Sequence, residues 1–284
     1  MGDGTDDTGR TRALEDQVRW RLDDGVAWLT INAPEQGNAL TMAMRDRLAE
    51  LFREASDRLD VRAVVLTATG DRHFCTGAAL GGPRTQAPPR PPDAPERVMG
   101  DAARLIRWGW QRLVCAVLDC DKPVVAAVNG TAAGGGANLV LACDLVLMAE
   151  HARLIEVFVR RGIMPDAGGA YLLPRLVGLH RAKELMFLGD DLSAADAERM
   201  GVANRVVPAD ALEAEASALA ARLAAGPTRA IAMTKWLLNR SFESSRQTAL
   251  DEEAFAQELV NGTADAAEGM AAFAERRQPR FRGW

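Results

Sequence analysis

An α/β core followed by a helical C-terminal region is the fold class that this sequence predicts, on three observations. Continuous apolar runs such as "VRAVVLTAT" (61–69) and "PVVAAVNG" (123–130) are of the kind buried on both faces of a sheet. They alternate with segments of helical period, which calls for right-handed crossovers and a mainly parallel sheet. From about residue 178 onward the pattern becomes almost wholly helical. No internal repeat is visible.

Taken in order, residues 1 to about 16 are rich in Gly, Asp and Thr and read as a mobile tail. "VRWRLDDGVAWLTIN" gives two β-runs joined by a "DDG" turn, hence a hairpin. Thr41 is placed to cap a helix over "TMAMRDRLAELFREASDRL", with Met44, Leu48, Leu51, Phe52 and Leu59 at helical spacing. A buried strand over 61–69 follows, then "GDRHFCTGAAL", a glycine-punctuated turn. Residues 81–97, "GGPRTQAPPRPPDAPER", are too proline-dense for regular structure and read as a surface loop. One helix is expected from about Val98 to Leu118, then the strand "PVVAAVNG", a glycine run opening a helix, and the strand "DLVLMAE". The helical remainder is punctuated at Pro174, Gly178, Ser193, Pro208, Gly226-Pro227 and Gly262-Thr263. The expected division is a tail (1–16), an α/β core (17–208) and a helical region (209–284).

Composition excludes several functions. The 284 residues are 48 % apolar, enough for a sizeable core, and no run approaches the roughly 20 residues that cross a bilayer. The start "MGDGTDDTGRTR" carries no signal-peptide pattern, so the default expectation is a cytoplasmic protein. A formal charge of −5 argues against a general nucleic-acid binder. Cys75, Cys115, Cys120 and Cys143 form no CxxC pair and read as reduced, buried thiols. With His73, His151 and His180 scattered as well, neither a zinc site nor a Ser-His-Asp or Cys-His machine is indicated.

The stretch from Asn129 to Leu145 places Gly134, Gly135 and Gly136 between an apolar strand and an apolar helix. "FCTGAAL" makes a second strand-to-helix turn through glycine. Two helix starts converging on one point would offer two backbone N–H donors to a carbonyl that becomes an oxyanion. Tight strand–helix packing would explain the glycines equally well. There is no Gly-Lys-Ser/Thr for a P-loop, and "GTAAGGGA" is a poor GxGxxG.

Together these stretches resemble the crotonase, or enoyl-CoA hydratase/isomerase, superfamily. The resemblance runs from about residue 17 to 282, through "NAL" (38–40), "FCTGAAL" (74–80), "KPVVAAVNGTAAGGGANLVLACDL" (122–145), "GIMPDAGGAYLLPRLVG" (162–178) and "EGMAAFAERRQPRF" (268–281). It implies the crotonase (ClpP-like) fold, with repeated ββα units forming a mainly parallel sheet and a helical C-terminal trimerisation region. It further implies an acyl-CoA thioester substrate, coenzyme A arriving as part of that substrate with no separate cofactor, and a homotrimer or hexamer. Ala78 and Gly135 would supply the oxyanion-hole N–H groups. Ala39, Ala78 and Leu80 would line the CoA groove, with Arg72 and Arg84 as candidates for its phosphates. Phe273 and Arg277 resemble the elements that close the CoA site, often that of a neighbouring subunit.

The pattern breaks where the family's hydratases carry two glutamates, at positions occupied here by Asn138 and Phe158. Neither can act as a base near neutral pH. Ala79 likewise stands where the family has Asp. Glu156 lies near the second glutamate position but two residues out of register. Asp166, in "MPDAGG", resembles the acid of isomerase-type members, and an apolar pocket would raise its pKa. It could equally be an N-cap for the next helix. Asn138 is expected either in the pocket or bonded locally, and Asp144 to be a structural acid at the start of a strand. The loop 81–97 and the segment with Trp108 and Trp110 lie where members differ, with core packing the simpler role for the tryptophans. The leading expectation is double-bond isomerisation with Asp166 as proton shuttle. The alternatives are an atypical hydratase, another enolate reaction, or a non-catalytic acyl-CoA-binding subunit.

Overall fold

A computed structural model describes residues 12–79, 91–95 and 98–284. Leu80, Arg84, most of the tail and most of the proline-rich loop therefore lie outside the described residues. In chain order the elements are α1 (Leu14–Gln17), β1 (Val18–Asp23), β2 (Val26–Ile31), α2 (Met42–Asp57), β3 (Ala63–Ala68), β4 (His73–Cys75), α3 (Asp101–Arg107), α4 (Trp110–Leu118), β5 (Val124–Val128) and β6 (Thr131–Ala133). They continue with α5 (Gly135–Leu141), β7 (Leu145–Ala149), β8 (Arg153–Ile155), a 3-10 turn (Val157–Arg161), α6 (Gly169–Val177), α7 (Leu179–Leu188), β9 (Asp191–Ser193), α8 (Ala194–Arg199) and β10 (Arg205–Val207). Four helices end the chain: α9 (Leu212–Ala224), α10 (Thr228–Arg240), α11 (Arg246–Asn261) and α12 (Ala264–Glu275).

The strands form two sheets. One has the order β1-β2-β3-β5-β7-β10 and is parallel except for the β1–β2 hairpin. The other has the order β4-β6-β8-β9, with only β8–β9 antiparallel. Three successive pairs, β3/β4, β5/β6 and β7/β8, each send one strand to each sheet before the chain turns helical, so the expected ββα unit recurs. β5 is buried at all five positions, which is why its sequence is unbroken apolar.

α2 starts at the predicted cap, where Thr41 accepts a hydrogen bond from Met44 N–H (3.2 Å). It buries Met44, Leu48, Leu51 and Phe52, each worth about 1.5–3 kcal/mol against exposure. It ends at Asp57, so Leu59 is exposed rather than part of that face. α9 lays Leu212, Ala216, Ala220 and Ala224 into the main core.

Other expectations need correction. The helix expected over 98–118 is two helices, because the chain turns at Trp108 and Gly109. A side chain at Gly109 would collide with Arg45 and the Leu105 carbonyl. "HFC" is a short strand rather than part of a turn. β9 and β10 interrupt the helical remainder and complete the two sheet edges. Pro174 lies inside α6. Cys115 is exposed, unlike Cys75 and Cys120. Asp144 does sit at the start of β7, where it accepts from Val124 N–H (2.7 Å) and from the Lys235 ammonium (2.8 Å). Lys235 also donates to the carbonyls of Val117 (2.9 Å) and Lys122 (3.3 Å), which pins α10 to the core.

Candidate functional site

The "NAL" segment is a tie. Asn38 is fully buried with φ +54°; its Oδ1 accepts from Ala33 N–H (2.9 Å) and its Nδ2 donates to the carbonyls of Thr69 (3.0 Å) and His73 (2.6 Å). That set fixes the loop against both ends of the β3–β4 connection and lays Leu40 beside Ala78. Ala39 is buried there. Leu40 N–H donates to the Gly77 carbonyl (2.8 Å) and Ala79 N–H to the Leu40 carbonyl (2.9 Å). A parallel bridge of this kind uses the neighbours of Ala78, so the Ala78 N–H points the other way.

Gly135 opens α5, so its N–H lacks an intrahelical partner. Gly77 has φ +96°, and a Cβ built on it would lie 3.1 Å from the Ala133 carbonyl and 3.5 Å from Gly135 N. The two turns that carry Ala78 and Gly135 are therefore in direct contact.

The glycine run is bare for three different reasons. Gly134 has φ +54° and ψ −123°, a region essentially closed to other residues, and donates to the Ile155 carbonyl (2.9 Å). A Cβ on Gly135 would lie 2.8 Å from the Trp110 indole, and one on Gly136 would overlap the Cys75 carbonyl. Packing by the chain's own atoms thus accounts for two of the three glycines. Trp110 is buried in the core, as core packing predicts, and its ring also lies against Gly135; Trp108 is exposed. Phe158 is buried, with its ring edge 3.6 Å from where a Gly134 Cβ would stand.

Asp166 precedes α6 without capping it. The N-cap is Gly168, and no side-chain cap bond is made. The carboxyl is half-buried, and burial pushes its pKa above the ordinary carboxylate range. Its backbone carbonyl accepts from Gly169 N–H (3.0 Å) and from Asn138 Nδ2 (2.9 Å). The next residue, Ala167, is held in the left-handed region at φ +49°, a strain of order 1 kcal/mol that surrounding bonds must offset. Asn138 is fully buried and directed onto this turn, its amide lying flat where a Gly169 side chain would be.

Glu156 is the group that the sequence reading left aside. It is 6 % exposed, and its pKa is pushed up to about 7, by burial first and then by the Asp166 carboxylate, with a hydrogen bond from Asn138 opposing the rise. Only its position one residue before the 3-10 turn hints at this, because "LIEVF" does not reveal which way the side chain turns. Phe273 is largely exposed on α12. Arg277 is engaged by Glu268 (2.6 Å) and Glu275 (2.6 Å). Among the described residues, no hydrogen bond or ion pair joins either to the Leu40–Ala78 segment. Arg72 is exposed in the turn before β4. No group of three or more His, Cys, Asp and Glu residues among the described ones could hold a metal ion. None of their helices is long and apolar enough to cross a membrane.

Two touching backbone turns with a free N–H each can polarise a carbonyl, and the half-buried Asp166 sits on a turn bonded through Asn138 to the helix that Gly135 opens. The sequence profile of the enoyl-CoA hydratase/isomerase family matches residues 21–283. The chain belongs to that family. It is 38 % identical over 266 residues to a protein of Rhodobacter capsulatus described as a probable enoyl-CoA hydratase, covering 94 % of this chain and 98 % of that one. Against the 1,2-epoxyphenylacetyl-CoA isomerase of Escherichia coli the identity is 37 % over 262 residues, covering 92 % and 97 %. The crystal structure of an enoyl-CoA hydratase from Bacillus anthracis superposes with a TM-score of 0.84 at 31 % identity, covering 94 % of this chain and all of that one. This crotonase-family member thus has the family fold.

Proposed function

We propose that this chain is an acyl-CoA enzyme that binds the thioester carbonyl at the N–H groups of Ala78 and Gly135, forms an enolate, and shifts a double bond with Asp166 as the proton shuttle. The observation that carries the reading is the free state of the Asp166 carboxyl. It is half-buried, its pKa is raised, and it is not used to cap α6. A single carboxylate beside an enolate can take a proton from one carbon and return it to another. Phe158 would keep water away, and Asn138 would support the turn rather than meet the acyl group. Coenzyme A enters with the substrate, and no other cofactor is needed. Ala39 would line the CoA groove with Ala78, and Phe273 and Arg277 would meet the CoA site of a neighbouring subunit in a trimer or hexamer. Exposed Trp236, Phe255 and Leu259 on the last helices, with Phe242 in the turn between α10 and α11, support such an assembly. The site of action would be the cytoplasm.

Hydration is the second reading, favoured by relatives that are named as hydratases. A mass-spectrometric assay in D₂O with matched 2-enoyl-CoA and 3-enoyl-CoA decides between them. Isomerisation predicts deuterium incorporation at constant formula, lost by at least about a hundredfold in Asp166→Asn. A product heavier by water, still formed by that variant, would overturn the role given to Asp166.

A further inference from the structure

Two residues that act on the Asp166 turn, Asn138 and Glu156, each hold a buried acceptor atom. Asn138 Oδ1 and Glu156 Oε2 are both solvent-inaccessible, and neither has a hydrogen-bond partner among the described residues. Their residues are 0 % and 6 % exposed. Unpaired buried oxygens of this kind cost about 1–3 kcal/mol each. The Asn138 amide is also close enough to the Glu156 carboxyl to act on its pKa. A single proton on Glu156 removes both deficits. Oε2–H would then donate to Asn138 Oδ1 while one Nδ2–H would donate back to the carboxyl. The second Nδ2–H remains on the Asp166 carbonyl, the bond seen at 2.9 Å.

We propose that Glu156 is a positioning residue whose protonated carboxyl closes a cyclic acid–amide pair with Asn138 and thereby holds the turn that aims Asp166. This rests on the reading of Asp166 as the proton shuttle. The chain of support runs Glu156 to Asn138 side chain to Asp166 carbonyl to the strained Ala167, with Gly169 leaving room for the amide. Its surroundings favour the acid form. Glu156 lines a small cleft with Ala137, Leu141, Leu173, Leu185 and Leu192, and among the described residues the charged groups that line this cleft or act on Glu156 from packed elements are Asp190 and Asp166, both acidic. On its own segment, Arg153 and Arg160 are engaged by Asp191. Deprotonation would put a carboxylate against the Asn138 carbonyl oxygen and break the pair.

The distinguishing variant is Glu156→Gln, because a glutamine amide can reproduce the cyclic pair without a titrating proton. Its kcat should stay within about threefold of wild type at about pH 6 and remain flat where the wild type declines on its alkaline side. Glu156→Leu, which leaves Asn138 unpaired, should lower kcat about tenfold or more with KM little changed. Infrared difference spectra across the same pH range should show a protonated-carboxyl band in wild type and in Asp166→Asn, but not in Glu156→Gln. That band is read without substrate, so it tests the pair even if Asp166 proves not to be the base. Absence of the band in wild type, an unchanged alkaline limb in Glu156→Gln, or wild-type kcat in Glu156→Leu would each overturn the proposal.

Discussion

Burying Glu156 has a thermodynamic consequence that Glu156→Gln should remove. Burial and the Asp166 carboxylate push the folded-state pKa up to about 7 against an ordinary value of 4.5. At 1.36 kcal/mol per unit this is about 3 kcal/mol. The sign follows from proton counting. Between those two values the folded chain holds a proton that the unfolded chain has released, so stability falls as pH rises. The contribution is fully present below 4.5 and is lost as pH passes through about 7. About 1 kcal/mol of the loss falls between about pH 6 and pH 8, a window above the isoelectric point. Urea unfolding of wild type and Glu156→Gln across that window should give curves that diverge by this amount, wild type being relatively weaker at the alkaline end. Taking the difference cancels the other titrating groups. Parallel curves would mean that Glu156 has an ordinary pKa, and the electrostatic reasoning would fail.

Three further outcomes are expected. Gly136→Ala should destabilise the chain by more than about 3 kcal/mol, since its Cβ meets the Cys75 carbonyl, whereas Gly262→Ala, at φ −77° with its nearest such atom 3.5 Å away, should shift the midpoint of urea unfolding little. Gly169→Ala places a Cβ 2.5 Å from Asn138 Oδ1; it should displace that amide and lower kcat in the deuterium assay about tenfold, and unchanged kcat would show that the Asn138 bond to the Asp166 turn is dispensable. Lys235→Met leaves the partly exposed Asp144 carboxylate with the Val124 N–H but no cation and frees the carbonyls of Val117 and Lys122, and calorimetry should register a loss of about 1–3 kcal/mol.

Much of the fold was legible because its signals are local. The unbroken apolar run of β5, the "DDG" hairpin turn and the Thr41 cap each state a backbone preference within a few residues, and each appears as read. The failures were also physical. The break between α3 and α4 falls at Gly109, where a side chain would meet Arg45, a residue 64 positions earlier, a proximity that no helical periodicity could reveal. The strands β9 and β10 are three residues each and exist because β8 and β7 offer them partners. At the site, Asp166 and the two glycine turns were marked by motif. The cap reading of Asp166 was equally sound in sequence terms and was removed only by the position of Gly168.

By itself, then, the sequence determined which backbone can adopt the unusual conformations and which segments must be buried. These follow from residue type and spacing alone. Only the tertiary structure decided that Trp110 crowds Gly135, that Asn138 reaches a carbonyl 28 residues away, and that Glu156 turns inward to meet it. Such contacts join segments distant along the chain, and their energies exist only once the sheets and helices have packed.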